Sequence, residues 1–243
     1  MNADPDFSRI RAVSFDAGGT LIVPHPSVGT VYARILREHG IQADQDILDR
    51  QFGPAFAAAE QASPTGRDAD GERRFWQDVV KATVTPYLKA DREPERFVTV
   101  FDAMYEAFAH GDAWRLRQGA LRTLDTLRRR GYRLVLLSNT DARLRRVLDD
   151  LALTGRFEAL FLSVETGAGK PDPLAFETVR AWLDLPADNI LHVGDSVSKD
   201  GRGATGAGWQ ACLVHRNTGR YAGIPWFPEL EDLLEHLDGP EMA

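Results

Sequence analysis

The stretch SFDAGGTLI, residues 14–22, places one carboxylate at the end of a short apolar run and directly before a turn. The run has the character of a buried strand, and Asp16 follows it. Gly18 and Gly19 permit a backbone bend that few other residues allow, and Thr20 can help to hold the loop. The stretch therefore predicts a strand that presents Asp16 in a tight, glycine-rich loop.

Short apolar runs in the second half of the chain alternate with segments of helical spacing, which is typical of βαβ units on a parallel sheet. The run YRLVLLSN, residues 132–139, is nearly continuous in apolar residues, as expected for a strand covered on both faces. Further strands are predicted over residues 159–164, 190–194 and 211–214. We therefore predict a three-layer, Rossmann-like α/β core around a parallel sheet.

The stretch from residue 24 to residue 112 has a different pattern. It is rich in Ala, Glu, Arg and aromatic residues at helical spacing, and it contains no convincing strand. We interpret it as an all-helical domain inserted after the first strand, so that residues 1–23 and 113–243 form the core and residues 24–112 the insertion. A Gly-Pro pair at Gly53 predicts a break between helices. Four aromatic residues at helical spacing are expected to form the core of the insertion: Phe52, Phe56, Phe75 and Trp76.

The charge of the chain limits its partners. The net charge is -7 at pH 7, which argues against broad binding to nucleic acid or to anionic membranes, since both need dense positive charge. The N-terminal residues lack the pattern of a secretory signal, and no apolar run approaches membrane-spanning length, so we expect a cytoplasmic protein. The single cysteine, Cys212, excludes an internal disulfide and is expected to be buried.

Polar residues follow several of the predicted strands. Asp16 ends the first strand, Ser138 and Asn139 end the run LVLLSN, and Asp195 ends ILHVGD. Lys170 lies in the loop that follows another strand. Because ligands of open parallel sheets bind beyond the carboxyl ends of the strands, these side chains are predicted to meet in one pocket.

The motifs FDAGGTL, LLSN, GKPDP and GDSVSKD occur in an order and spacing that resemble those of the haloacid dehalogenase-like hydrolases. The helical insertion after the first motif is similar to the cap domain of that family. The likeness covers nearly the whole chain, and it is greatest to capped members whose first motif reads Asp-Ala-x-Gly-Thr. The resemblance implies a hydrolase, with phosphatase chemistry as the first expectation.

The resemblance also implies roles for individual residues. Asp16 matches the nucleophile, which attacks phosphorus to form an aspartyl-phosphate. Lys170 matches the positive group that offsets the charge of the nucleophile and of the phosphoryl oxygens. The Ser138 hydroxyl and the Asn139 backbone amide match phosphate contacts near a helix start, where amide donors favour anions. Asp200 matches an acid that orients Lys170 or a metal-bound water.

A magnesium site is implied by the same motifs. Asp195 matches a Mg²⁺ ligand, with Asp16 and the backbone carbonyl of Gly18 as its partners, and hard oxygen ligands suit that ion. Gly18 and Gly19 also match positions of the phosphate-binding loop. The implied partner is a small phosphorylated metabolite, with no nucleic acid and no membrane, and we expect a monomer or a homodimer.

Gly18 departs from the family pattern. Phosphatases of this family that act on alkyl esters carry an Asp there, which protonates the leaving oxygen, and glycine cannot do so. Activated substrates such as acyl or aryl phosphates are therefore favoured, because their leaving groups are stable as anions. Two alternatives stay open: a metal-independent 2-haloacid dehalogenase, and a non-catalytic phosphate-binding module. Whether His25 replaces the missing acid also stays open.

Overall fold

The core of the protein is a layered α/β structure. The computed structural model describes residues 6–62, 68–214, 219–221 and 223–240. The strands are β1 (Ala12–Phe15), β2 (Ile22–Pro24), β3 (Trp114–Leu116), β4 (Arg133–Ser138), β5 (Ala159–Leu162), β6 (Ile190–Gly194), β7 (Gln210–Val214), β8 (Gly219–Tyr221) and β9 (Ile224–Phe227). The α-helices are α1 (Val28–Glu38), α2 (Gln45–Ala62), α3 (Ala69–Val84), α4 (Pro94–Ala107), α5 (Ala120–Arg129), α6 (Arg143–Asp150), α7 (Ser163–Thr166), α8 (Pro173–Leu183) and α9 (Gly203–Gly206).

Within the described residues, the main sheet has seven strands in the order β5-β4-β1-β6-β7-β9-β8. All neighbouring pairs are parallel except β8 and β9 at the edge. The first strand lies in the middle, because Ser14 pairs with Val135 on one side and with His192 on the other. The carboxyl ends of β1, β4 and β6 therefore lie side by side, as the sequence predicted.

Both faces of the sheet are covered. Val13 and Phe15 belong to an apolar cluster that includes residues of α5 and α6, whereas Ala12 belongs to a second cluster that includes residues of α8. Successive residues of β1 therefore point to opposite layers, as the pleat requires. This arrangement confirms the predicted three-layer α/β class and explains why β1 and β4 are apolar along almost their full length.

Helices α1–α4, which we call the helical insertion, follow β2 and precede β3 in the chain. β2 and β3 pair as an antiparallel ribbon at the two ends of the insertion. The insertion has an apolar cluster of its own, built around Tyr32, Leu36 and Phe101. Pro24 lies in β2, so the predicted absence of strands from residues 24–112 was wrong at this first position.

Two local predictions concern Pro54 and Cys212. Helix α2 continues through Pro54, so the predicted break at the Gly53–Pro54 pair was wrong. Cys212 is buried, and burial raises the pKa of its thiol, which fits a structural role. Among the helices that the structure describes, none combines the length and the apolar character of a membrane-spanning segment.

Candidate active site

The loop after β1 holds Asp16 at the centre of the sheet edge. The Asp16 backbone amide donates to the carbonyl of Val193 at 2.9 Å, which ties the start of the loop to β6. Gly19 has a φ of +85°, and a Cβ at this position would lie 2.5 Å from Oδ2 of Asp195. Glycine is therefore required at position 19 by both the backbone and the neighbouring carboxylate. At Gly18, by contrast, no heavy atom lies within 4 Å of the position of a Cβ.

Lys170 joins two acids that are far apart in the sequence. Its Nζ donates to Oδ1 of Asp16 at 2.9 Å and lies 2.7 Å from Oδ1 of Asp200. The Lys170 side chain is only 1% exposed. Burial alone would lower the pKa of Lys170, but the charges of Asp16 and Asp200 outweigh burial and raise it. The ammonium therefore stays charged at neutral pH.

The pKa of Asp200 shifts in the opposite direction from that of Lys170. Burial would raise its pKa, but the positive charge of Lys170 and the contact with His192 hold the pKa well below the usual value. Its Oδ2 accepts the backbone amide of Ser196 at 2.8 Å. Both oxygens of Asp200 are therefore engaged, one of them beside the Lys170 ammonium.

Asn139 holds the backbone of the lysine loop. Its Nδ2 donates to the Lys170 carbonyl at 2.7 Å, and its Oδ1 accepts the Lys170 amide at 2.7 Å. This reciprocal pair links β4 to the loop before α8, so the Asn139 side chain has a structural task that the sequence did not reveal. Its backbone amide remains the predicted phosphate contact. Ser138, the last residue of β4, lines the same cavity.

His192 is a site residue that sequence reasoning missed. It is fully buried in β6, and its ring nitrogens lie 3.0 Å from the Ser14 hydroxyl and 3.1 Å from Oδ1 of Asp200. Burial and the charge of Lys170 lower the pKa of His192, which favours the neutral ring. The signal in the sequence was a histidine within the otherwise apolar run ILHVG.

Three carboxylates meet beside Lys170. One oxygen from each of Asp16, Asp195 and Asp200 lies within 4.8 Å of the others. Asp195 immediately follows β6, and the tight approach of Gly19 brings its carboxylate beside the Asp16 loop. Three acids near one ammonium leave an excess of negative charge, which a divalent cation with oxygen ligands would balance. The donor set therefore fits Mg²⁺.

A model of the family described as "Hydrolase: haloacid dehalogenase-like hydrolase" matches residues 10–208 of this chain. That range contains the whole constellation described above. The chain belongs to the haloacid dehalogenase-like hydrolases. Human haloacid dehalogenase-like hydrolase domain-containing protein 3 is 30% identical over 208 residues, which is 85% of this chain and 82% of the human protein.

Solved structures also resemble this haloacid dehalogenase-like hydrolase in fold. The magnesium-bound putative HAD-hydrolase YfnB from Bacillus subtilis superimposes with a TM-score of 0.70 at 19% identity, covering 95% of this chain and 99% of that one. A crystal structure described as a dehalogenase gives a TM-score of 0.68 at 19% identity, with coverages of 93% and 96%. Phosphatases also occur among the similar structures. The fold is thus shared by proteins with both kinds of chemistry.

The hydrolase has a cavity of about 780 Å³ that begins at Asp16 and extends between the sheet edge and the helical insertion. The residues predicted from the sequence all line it: Asp16, Gly18, Gly19, Ser138, Asn139, Lys170, Asp195 and Asp200. Aromatic side chains of the insertion line its other side. Phe52, Phe56 and Trp76 are among them, and Phe52 and Trp76 also pack against the apolar cluster of the insertion, while Phe75 is buried. Helical spacing identified a packed face but could not tell that part of it borders a cavity.

One ion pair connects the insertion to the core beside this cavity. Lys199, in the π-helical turn Val197–Arg202, donates to Glu60 of α2. Both side chains line the cavity and are about one-third exposed or less. His25, by contrast, is exposed and is not a cavity-lining residue. The hypothesis that His25 replaces the missing acid is therefore not supported.

Proposed function

We propose that this hydrolase is a Mg²⁺-dependent phosphatase that acts through an aspartyl-phosphate on Asp16. Its substrate is a small phosphorylated metabolite whose leaving group needs no protonation, such as an acyl or aryl phosphate. The observation that carries the proposal is the contact of a buried ammonium, Lys170 Nζ, with the Asp16 carboxylate at 2.9 Å, beside a cluster of acids that can hold a cation. A carboxylate, a buried ammonium and an open cavity at the strand ends suit phosphoryl transfer.

In the first step, an oxygen of Asp16 attacks phosphorus while the bond from phosphorus to the leaving oxygen breaks. The leaving group departs as an anion, since Gly18 has no proton to give. Lys170 offsets the charge of the nucleophile and of the phosphoryl oxygens, and the Ser138 hydroxyl and Asn139 amide orient the phosphoryl group. In the second step, water attacks the aspartyl-phosphate, which releases inorganic phosphate and regenerates the carboxylate of Asp16.

The proposed magnesium ligands are the side chains of Asp16 and Asp195 and the backbone carbonyl of Gly18. Asp200 is a weaker candidate, because Lys170, His192 and the Ser196 amide already occupy its oxygens. When bound, Mg²⁺ would neutralise negative charge between the nucleophile and the phosphoryl group. Hydrogen bonding through Asp200 and Asn139 keeps the Lys170 ammonium at its position beside Asp16.

We further propose that the helical insertion acts as a cap domain, with residues 24–112 as the cap and residues 1–23 and 113–243 as the catalytic core. Its separate apolar cluster and the ribbon of β2 and β3 at its ends support this division. A cap over the cavity would exclude water from the reacting centre. The proposal includes a cytoplasmic protein, as a monomer or homodimer, without nucleic-acid or membrane partners.

A panel of substrates can distinguish the proposed function from two alternatives. A 2-haloacid dehalogenase is favoured by the absence of an acid at Gly18, and a phosphate-binding module by the same absence. Turnover of acetyl phosphate, phenyl phosphate, an alkyl phosphate, a phosphonate and a 2-haloacid should be measured with Mg²⁺ and with chelator. We expect Mg²⁺-dependent turnover of the acyl and aryl phosphates that Asp16→Asn abolishes. Haloacid turnover that survives chelation would replace the proposal with a dehalogenase, and phosphate binding without any turnover would indicate a binding module.

A further inference from the structure

The cavity is far larger than a phosphoryl group needs. Its volume of about 780 Å³ is typical of sites that enclose a complete small ligand. The predicted catalytic residues occupy the end at the sheet edge, and the rest extends along the helical insertion. The leaving group of the substrate would therefore occupy the part bounded by the insertion.

Aromatic rings form one wall of this part of the cavity. The ring of Tyr32 meets that of Phe108 edge-on at 6.0 Å and that of Phe52 edge-on at 6.4 Å. Phe108 in turn contacts Trp114 at 5.7 Å. All four residues line the cavity. Such a wall suits a planar apolar group, which packs favourably against ring faces and edges.

The Tyr32 hydroxyl is a polar group on this apolar wall. Tyr32 is 2% exposed, and among the described residues its hydroxyl has no hydrogen-bond partner. Burial raises the pKa of the phenol, and the nearby positive charge of Arg143 offsets only part of the increase, so the hydroxyl keeps its proton. Buried hydroxyls are normally paired. Because Tyr32 lines the cavity, a ligand bound there can supply this partner.

Arg143, at the start of α6, is held firmly at the same cavity. Its Nε donates to both carboxylate oxygens of Asp141 at 3.0 Å, and its Nη1 donates to the Tyr105 carbonyl at 2.9 Å. The guanidinium lies 3.4 Å from the centre of the Tyr105 ring. Nη2 has no partner within the described parts of the chain. The Tyr105 hydroxyl also donates to Asp141, at 2.7 Å, so two side chains bind this carboxylate.

We propose that Tyr32 and Arg143 form a subsite for a carboxylate at the end of the substrate remote from the phosphate, so that the substrate is a carboxylated aryl phosphate. The inference rests on the proposed function of the same cavity. Both residues line the cavity, and the positive charge of Arg143 acts on the Tyr32 phenol. An O–H and an N–H donor can bind the two oxygens of a carboxylate, and the aromatic wall matches the ring between the two anionic ends.

The first test compares substrates. For the better of 3- and 4-carboxyphenyl phosphate, we expect kcat/KM to exceed that of phenyl phosphate about tenfold or more, as for a hydrogen bond to a charged group. A ratio near one overturns the subsite. Equal turnover of the corresponding carbamoylphenyl phosphate overturns the assignment of a carboxylate.

The second test uses a matched pair of tyrosines. Tyr32→Phe removes the unpartnered hydroxyl, and we expect it to lower the preference for the carboxylated substrate about fivefold to tenfold. Tyr132→Phe is the control: Tyr132 is 5% exposed, its hydroxyl accepts from the Gly239 amide, and it does not line the cavity. Arg143→Lys keeps the charge but removes Nη2 and should also lower the preference. An unchanged ratio in Tyr32→Phe contradicts the proposal.

A third measurement does not depend on turnover. Calorimetry should show that 3- or 4-hydroxybenzoate binds more tightly than phenol, and that Tyr32→Phe reduces the difference. If no phosphate ester is hydrolysed but this preference is present, the proposed function fails and the subsite stands. If aryl phosphates are hydrolysed but hydroxybenzoate shows no preference over phenol, the subsite fails and the proposed function stands.

Discussion

At the scale of single residues, Gly18 and Gly19 differ in what they contribute to the site. Gly19 lies in the left-handed region at a φ of +85°, and the Asp195 carboxylate packs where its Cβ would be. Gly18 has neither constraint, because the space around its Cβ position is open and its φ is not positive. Geometry thus requires the second glycine, whereas the first is compatible with a side chain and its identity bears on the chemistry.

We predict that Gly18→Asp gains hydrolysis of alkyl phosphates. The open space accommodates the new carboxyl group, which could protonate the leaving oxygen, a contribution of about 10²–10⁴-fold in general acid catalysis. The measurement is kcat/KM for an alkyl phosphate and for acetyl phosphate, whose leaving group needs no proton. Gly18→Asn is the control, because it has nearly the same shape and no acidic proton. Equal rates for the two variants would show that geometry, and not the missing acid, limits the reaction.

At the scale of elements, the site is a junction of loops from β1, β4, β6 and the segment before α8. Lys170 is the centre of that junction through its contacts with Asp16 and Asp200, and Asn139 fastens its backbone. Removing one partner of a buried ion pair is costly because it leaves the other charge poorly compensated. The junction therefore couples catalytic geometry to stability.

We predict that Asp200→Asn lowers the free energy of unfolding at pH 7 by about 3 kcal/mol. The pKa of Asp200 is lowered in the folded protein, so its contribution is present above the unfolded value of about 4 and is lost as the pH falls below it. Lys170 has the opposite pH dependence, because its pKa is raised in the folded protein. Its contribution to folding stability is fully present below the unfolded-state pKa of about 10.4 and is lost as the pH rises through the folded-state pKa.

Urea unfolding with chelator, at pH values from 7 down to 3, would measure this effect. The difference between the wild type and Asp200→Asn should shrink below about pH 4. Asp149→Asn, which changes an exposed acid on α6, is the control, and its free energy of unfolding should differ little from that of the wild type at any pH in this range. A gap that stays constant across the range would contradict the assigned ion pair.

The sequence predicted the longer elements better than the short ones. The prediction of residues 190–194 coincides with β6, that of residues 132–139 extends one residue beyond β4 at each end, and that of residues 211–214 omits the first residue of β7. β2, β3, β8 and β9, with three or four residues each, were not predicted. A run of three residues has too little periodicity to reveal a strand, and the pairing partner of β2 is about ninety residues away in the chain.

At the scale of the whole molecule, the three acids of the candidate magnesium site contribute to a net negative charge. The chain has a net charge of -7, and three acids converge near Lys170. A cation that binds the folded state and not the unfolded chain stabilises the protein through mass action. Folding stability is therefore a test of the site that is independent of catalysis.

We predict that Mg²⁺ at about 100 times its Kd raises Tm by about 5–10 °C, the shift that corresponds to ~2.7 kcal/mol for a chain of this size. Thermal unfolding monitored by circular dichroism, with Mg²⁺ and with chelator, would measure it. Asp195→Asn should remove most of the shift, and Asp149→Asn should retain it. The same shift in wild type and Asp195→Asn would exclude Asp195 as a ligand.

The sequence by itself determined the fold class and the identity of the residues around Asp16. Apolar runs of strand length and glycine-rich turns follow from local chemistry, and the carboxyl ends of neighbouring parallel strands must share one edge. The sequence alone therefore predicts that four residues distant in the chain lie close together: Asp16, Ser138, Lys170 and Asp195.

Only the tertiary structure decided the contacts that depend on how elements pack. Tyr32 lies in α1 of the helical insertion and Arg143 in α6 of the core. The helical period of α1 predicts that one face is apolar, but it does not predict which residues pack against that face. The buried position of His192 and the pairing of Lys199 with Glu60 likewise depend on long-range packing. The contacts of His192 with Ser14 and of Lys199 with Glu60 join residues 178 and 139 positions apart, a distance over which local patterns carry no information about relative orientation.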